Sequence, residues 1–206
     1  MISLTVGGCR VDILPVVNGL VSEAEKVREA YGDYDAYGAS MSIESLQAIL
    51  KREEIGTENV EVSELDLVYS ERMAYFGEIQ VPSPAFCEIV DLCARDGKQV
   101  IPLDMRDEDF DTAFINCVSA VEFTTVHRLA KKGMMVKLSL NSPEDMAIDW
   151  DRYVSKKRGF AKLNRVREEY IAKEIVDTSN YRKSLLAVIE CERADNIAEL
   201  VRKYAG

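Results

Sequence analysis

Residues able to do chemistry are sparse in this chain, and their types exclude several mechanisms at once. A single histidine, His127, stands inside a helical stretch, and no GxSxG string is present. A Ser-His-Asp triad therefore has neither its base nor its nucleophile elbow, and His127 reads as a bystander on a helix face. Zinc is disfavoured on the same ground. The five cysteines (Cys9, Cys87, Cys93, Cys117, Cys191) show no CxxC or CxxH spacing. Acids are denser: Asp104, Asp107, Glu108, Asp109 and Asp111 follow a strand and could hold magnesium or favour the positive end of a helix. Gly7-Gly8 could cradle a phosphate, but both the GxGxxG and the Walker patterns are missing.

Two short strings recur in equivalent places. Gly7-Gly8-Cys9-Arg10 follows the first apolar run, and Glu190-Cys191-Glu192-Arg193 follows the last. If both arginines lie just past strand ends, they can share a crevice and grip a carboxylate or phosphate bidentately. The competing reading pairs each arginine with a local acid, such as Asp12, Glu190 or Glu192.

Bulk properties restrict the partners. A formal net charge of −10 argues against a nucleic-acid binder. The one tight basic run, Lys156-Lys157-Arg158, reads as a solvated helix end. The opening segment MISLTVGG is too short for a signal peptide or a membrane span. Scattered cysteines without a signal sequence suit a cytoplasmic protein with reduced, mostly buried thiols.

The elements that would position these residues alternate. Ile2–Val6 reads as a strand, and Ser22 with Glu25 as a capping box opening a helix through Val27 and Tyr31. Asp35–Met41 reads as a buried strand, and Ser42 as the cap of a helix facing inward through Ile43, Leu46 and Ile49 or Leu50. The segment 58–77 is ambiguous, with helix favoured in its second half. Ser83-Pro84 opens a helix through Phe86, Ile89, Val90 and Cys93, closed at Gly97. Gln99–Leu103 follows as a strand ending at Asp104. Residues 107–133 read as one long or two joined helices, with Ala113, Cys117, Ala120 and Val121 inward; 135–140 gives no clear pattern. Phe160–Val176 is an amphipathic helix, Ser184–Ile189 a strand, and Asp195 the cap of a final helix. Four apolar strands each preceding a capped helix predict an α/β domain, a largely parallel central sheet with helices on both faces. Ligands then belong at the strand carboxyl ends. On this reading the ends carry Gly7 to Arg10, Ser40, Asp104 and Glu190 to Arg193.

In this order of elements the chain resembles the TraB (pheromone shutdown) family, related to the GumN, ChaN and erythromycin-esterase-like proteins. Residues 7–10 stand where that family has a GxxH motif. EKVREA (Glu25 to Ala30) corresponds to the next helix, and Asp35 to Ile49 to the strand that runs into a Glu-Leu motif. Pro82 to Asp107 is similar to the helix, glycine and strand before an Asp-Arg motif. Arg167-Glu168-Glu169-Tyr170-Ile171-Ala172 is similar to the family's Arg-Asp-x-Tyr-Met-Ala helix. The second GxxH falls on Glu190 to Arg193, followed by DNIAELV. The resemblance implies that the family's two histidines and glutamate, its presumed metal ligands, are replaced by Arg10, Arg193 and Ser40. A protonated guanidinium is not a practical metal ligand. The family's membrane-spanning tail has no counterpart here.

The resulting expectation is a single TraB-like domain over residues 1–206, with a helical insertion at roughly 107–180. It would lack a metal site and a cofactor and act as a binding or regulatory module. Its anion pocket would use Arg10, Ser40 and Arg193, supported by Arg106 and Arg167, with Tyr170 as wall or donor. The partner would be a small anionic ligand or a protein, without nucleic acid or membrane. The alternative is a hydrolase using Asp104, Asp107, Glu190 or Glu192, with or without a divalent metal. A homo-oligomer joined through an exposed apolar helix face is the third reading.

Overall fold

The computed structural model describes residues 1–55 and 62–205. Five strands form one sheet in the order β1-β2-β5-β3-β4. They are β1 (Ile2–Val6), β2 (Cys9–Val16), β3 (Ala36–Ala39), β4 (Val100–Pro102) and β5 (Ser184–Glu190). Only β1 and β2 pair antiparallel; β2–β5, β5–β3 and β3–β4 are parallel.

The hairpin changes the layout expected at the amino terminus. Gly7 and Gly8 are a two-residue turn, with Val6 opposite Cys9 and φ of 53° and 92°. Left-handed backbone at both positions matches the right-handed twist of the flanking strands, and glycine adopts it without steric cost. The chain thus reverses and adds an unexpected second strand, CRVDILPV, before its first helix.

The helices are α1 (Glu23–Ala30), α2 (Ile43–Leu50), α3 (Arg52–Ile55), α4 (Glu64–Met73), α5 (Pro84–Arg95), α6 (Asp107–Cys117), α7 (Ala120–Thr124), α8 (Val126–Gly133), α9 (Pro143–Val154), α10 (Arg158–Ser179) and α11 (Cys191–Ala205). Of the ambiguous segment 58–77, residues 58–61 lie outside the described residues, and α4 (Glu64–Met73) starts before the second half and ends before Gly77. Ser42 caps α2 as expected, its Oγ accepting from the Ser45 N–H at 3.1 Å. Gly97, with φ 66°, follows the last turn of α5. Three expected caps differ. Ser83, expected as the N-cap of α5, makes no side-chain cap bond. Ser22 makes no side-chain cap bond. Asp195 lies within α11, which begins directly at Cys191. The stretch after Asp107 breaks into three helices, because Ser119 forms a capping box with Glu122 and restarts the chain. No residue of α6 or α7 is buried, and Val121 is exposed rather than inward.

Buried apolar side chains gather in three clusters. Leu186 and Val188 of β5 join Leu14, Tyr37, Val27, Leu46 and Phe86. Leu185, Ala187 and Ile189 join Val11, Ile13, Ile171, Ile175, Ile197 and Val201. This division by alternate residues follows from the two-residue period of a strand. The third cluster is helical, with Met73, Leu138, Met146, Trp150 and Cys191 packed around Val17 and Leu20 just past β2. It sets α4 and α9 beside the carboxyl ends of the strands. Among the described residues no helix is long and apolar enough to cross a membrane.

Candidate functional site

Three parallel strands end on polar residues. After β3 comes Ser40, 3% exposed; after β4 come Leu103 and Asp104, 0% and 8% exposed; β5 ends on Glu190, 7% exposed. Their positions are fixed by the ladder. The Ser40 N–H donates to the Val188 carbonyl at 3.0 Å, the Leu103 N–H to Ala39 at 2.9 Å and the Asp104 N–H to Met41 at 3.2 Å. Burying such groups is tolerable only when they are bonded, and each has a partner. Ser40 Oγ donates to Glu190 Oε2. Asp104 Oδ1 accepts from the Met105 N–H at 2.8 Å. Asp104 Oδ2 accepts from Arg167 Nε at 3.1 Å and also from Nη2. Arg167, brought in by α10, leans toward Glu190 Oε1 at 3.8 Å and lies over the Phe110 ring at 5.7 Å. Burial disfavours its charge, yet Asp104 and Glu190 outweigh that and hold the guanidinium above the ordinary arginine value.

Above this floor opens a cavity of about 480 Å³, lined also by Asn18, Ser42, Asp66, Ser83, Phe86 and Asp107. Its mouth is tied shut on one side. The Gly19 N–H donates to Ser83 Oγ at 3.3 Å and the Gln80 N–H to the Gly19 carbonyl at 2.9 Å, so the loop after β2 and the loop before α5 hold each other. Ser83 thus serves the wall instead of capping α5. Tyr69 of α4 also lines the cavity, and its buried hydroxyl has no hydrogen-bond partner among the described residues. Burial, then Glu192, Cys191 and Glu190, push that hydroxyl far above its usual value, so it stays protonated. Glu192 itself is pushed up to about 7, first by burial and then by the Glu190 carboxylate. Cys191 is raised by burial and by Glu192, so it stays a thiol.

The six expected ligand residues divide into four groups. Ser40 and Arg167 line the cavity. Arg106 and Tyr170 sit beside it outside the lining: Arg106 is the exposed N-cap of α6, and Tyr170 feels both Arg106 and Asp104. Arg193 is buried in a separate polar knot, 3.8 Å from Glu168 and 3.9 Å from Asp151, with Nε and Nη1 lacking a hydrogen bond. Asn196 bonds both Glu168 oxygens in that knot at 3.3 Å, and burial raises Glu168.

Arg10 is elsewhere altogether. It pairs with Ser184 at the start of β5, whereas Glu190 is opposite Val16. Six residues of strand separate the two levels, roughly 20 Å. Arg10 binds Asp12 at 3.2 Å and stacks on Tyr34 at 4.8 Å. It and Arg193 do not share a crevice; the missed hairpin put Arg10 at the wrong end of its strand. The local-acid reading of Arg10 is the one its geometry bears out.

The alternative carboxylates fare differently. Asp104, Asp107 and Glu190 all line the cavity, while Glu192 is outside the lining and acts on Tyr69 through its charge. Among the described residues no group of three or more His, Cys, Asp or Glu side chains is disposed to hold a metal ion. His127 is exposed on α8 and bonds Glu64 at 3.0 Å. Tyr69, Asn18 and Phe86 escaped sequence reasoning as site residues. Their only signal was position, in a loop after an unread strand and on helices whose packing was not in view. Comparison with protein-family models, with curated proteins and with solved structures finds no match for this chain.

Proposed function

We propose that the chain is a small-molecule-binding domain, binding or regulatory rather than catalytic, whose ligand sits in the strand-end cavity. We read its sheet as covered by helices on both faces, and its order of elements as TraB-like with the metal chemistry lost. One observation carries the functional reading: about 480 Å³ of concave space rests on a floor of linked buried polar groups, Ser40–Glu190 and Asp104–Arg167. That volume falls within the usual range for small-molecule sites, and strand carboxyl ends are where open α/β sheets bind ligands. A buried ion pair is weak support for stability, so its retention at a cavity floor fits a positional role.

A thermal-shift screen of polar metabolites tests this, run on the wild type and on Ala48→Trp. Ala48 is an exposed residue of the lining, and a tryptophan there fills the mouth. Compounds that stabilise the wild type and not the variant support the reading. A screen in which no compound distinguishes the two proteins overturns it.

Hydrolysis is the second reading, favoured by the Ser40 hydroxyl donating to Glu190 beside Asp104 and Asp107. Turnover of activated ester or phosphoester substrates, abolished by Glu190→Gln, would replace binding with catalysis.

A further inference from the structure

We propose that the cavity takes an organic cation, a small aliphatic amine or diamine; this rests on reading the cavity as a ligand site. Its described lining carries four carboxylates, Asp66, Asp104, Asp107 and Glu190, against a single cation, Arg167. Arg167 is already committed. Its Nε and Nη2 are on Asp104 and its face is on Phe110. An entering anion would have to share a guanidinium already flanked by Asp104 and Glu190, and would meet Asp66 and Asp107 as well. A cation meets the opposite situation. Asp66 and Asp107 are exposed and would attract it from solvent. Glu190 Oε1 has Arg167 at 3.8 Å, too far for a hydrogen bond, and so keeps acceptor capacity.

The Tyr69 hydroxyl points to the same ligand. It is buried, has no hydrogen-bond partner among the described residues, and feels the charges of Glu192 and then Glu190. Leaving such a group unmade costs free energy that a ligand can recover. An ammonium can donate to Glu190, with the Tyr69 side chain as adjoining wall. Met41, Phe86 and Met105 offer apolar wall for the methylene stem, and the Tyr69 ring offers a π face. A divalent metal is the less suited cation, since the carboxylates are not grouped to ligate one.

Three four-carbon compounds of matched length test the charge: putrescine, butanediol and succinate, titrated calorimetrically into the full chain. Putrescine should bind, and butanediol should bind weaker by about tenfold or more, the equivalent of one lost charge-assisted contact. Succinate should give no saturable heat. The double variant Asp66→Asn/Asp107→Asn should weaken putrescine by about threefold or more while staying folded, its melting temperature lowered only by the small worth of two charges in first helical turns. Glu190→Gln should abolish binding, and Ala48→Trp should block it. Tighter binding of succinate or butanediol overturns the cation and leaves the cavity reading standing. Putrescine binding that survives Ala48→Trp overturns the proposal, as does an absence of heat from all three compounds. The cavity reading falls with it only if the metabolite screen also comes back empty.

Discussion

Arg167 carries the heaviest local burden, because its guanidinium is the cation that neutralises the buried Asp104. Arg167→Leu leaves that carboxylate with one backbone donor and no counter-ion. Removing one partner of a buried pair costs about 3–5 kcal/mol, and urea denaturation of the variant should read a loss of that size. Glu192 gives a pH signature. Its folded pKa, about 7, lies above the ordinary carboxylate value, so the folded state holds a proton that the unfolded chain releases earlier. The stability from that neutral carboxyl is fully present below the ordinary value and is lost as pH rises through about 7. Between about pH 5 and pH 8 the wild type should lose on the order of 2 kcal/mol that Glu192→Gln retains, measured as urea midpoints. At this scale Ser40, Asp104 and Glu190 were legible, because each directly follows or ends an apolar run. Arg10 was misread for a geometric reason: a residue after Gly-Gly looks like a strand end until the hairpin is recognised. Tyr69 left no local signal, since its burial comes from the distant Trp150 and Cys191.

Among the elements, β3 and the residue after β4 approach closely. A Cβ on Gly38 would lie 2.7 Å from Leu103 Cδ1 and 2.9 Å from Cγ. Leu103 is fully buried and directly precedes Asp104, so it cannot retreat without moving the site. Gly38→Ala should therefore cost about 2 kcal/mol of stability by overpacking. It should also weaken putrescine; melting temperature and calorimetry check the two effects. Pro102 fits its place at the sheet edge, where a missing N–H costs no ladder bond. The elements with clear apolar patterns, α2, α5, α10 and β5, lie where the sequence pattern puts them, apart from ends that shift by a few residues. β2 was missed although VDILPVV after Gly-Gly carries the hairpin signal. α9 falls within the expected helical insertion but was not read as an element of its own; its inward face, Met146, Ala147 and Trp150, packs in the third cluster.

Across the molecule, strand register decides which charges meet. Parallel pairing brings Ser40, Asp104 and Glu190 to one end and leaves Arg10 with Asp12 at the other. The α/β class followed from alternating strands and helices alone. The polarity of the site did not, because it depends on which arginines are consumed by neighbouring acids, and only tertiary contacts reveal that. A chain of net charge −10 that also lines its cavity with carboxylates presents one sign of field to a ligand. Amide resonances followed during a putrescine titration test this most directly. Perturbations should concentrate at Ser40, Met41, Ser83, Asp104 and Met105, with Arg10 and Tyr34 unmoved. Perturbations centred on Arg10 and Tyr34, or none at the strand carboxyl ends, would contradict it.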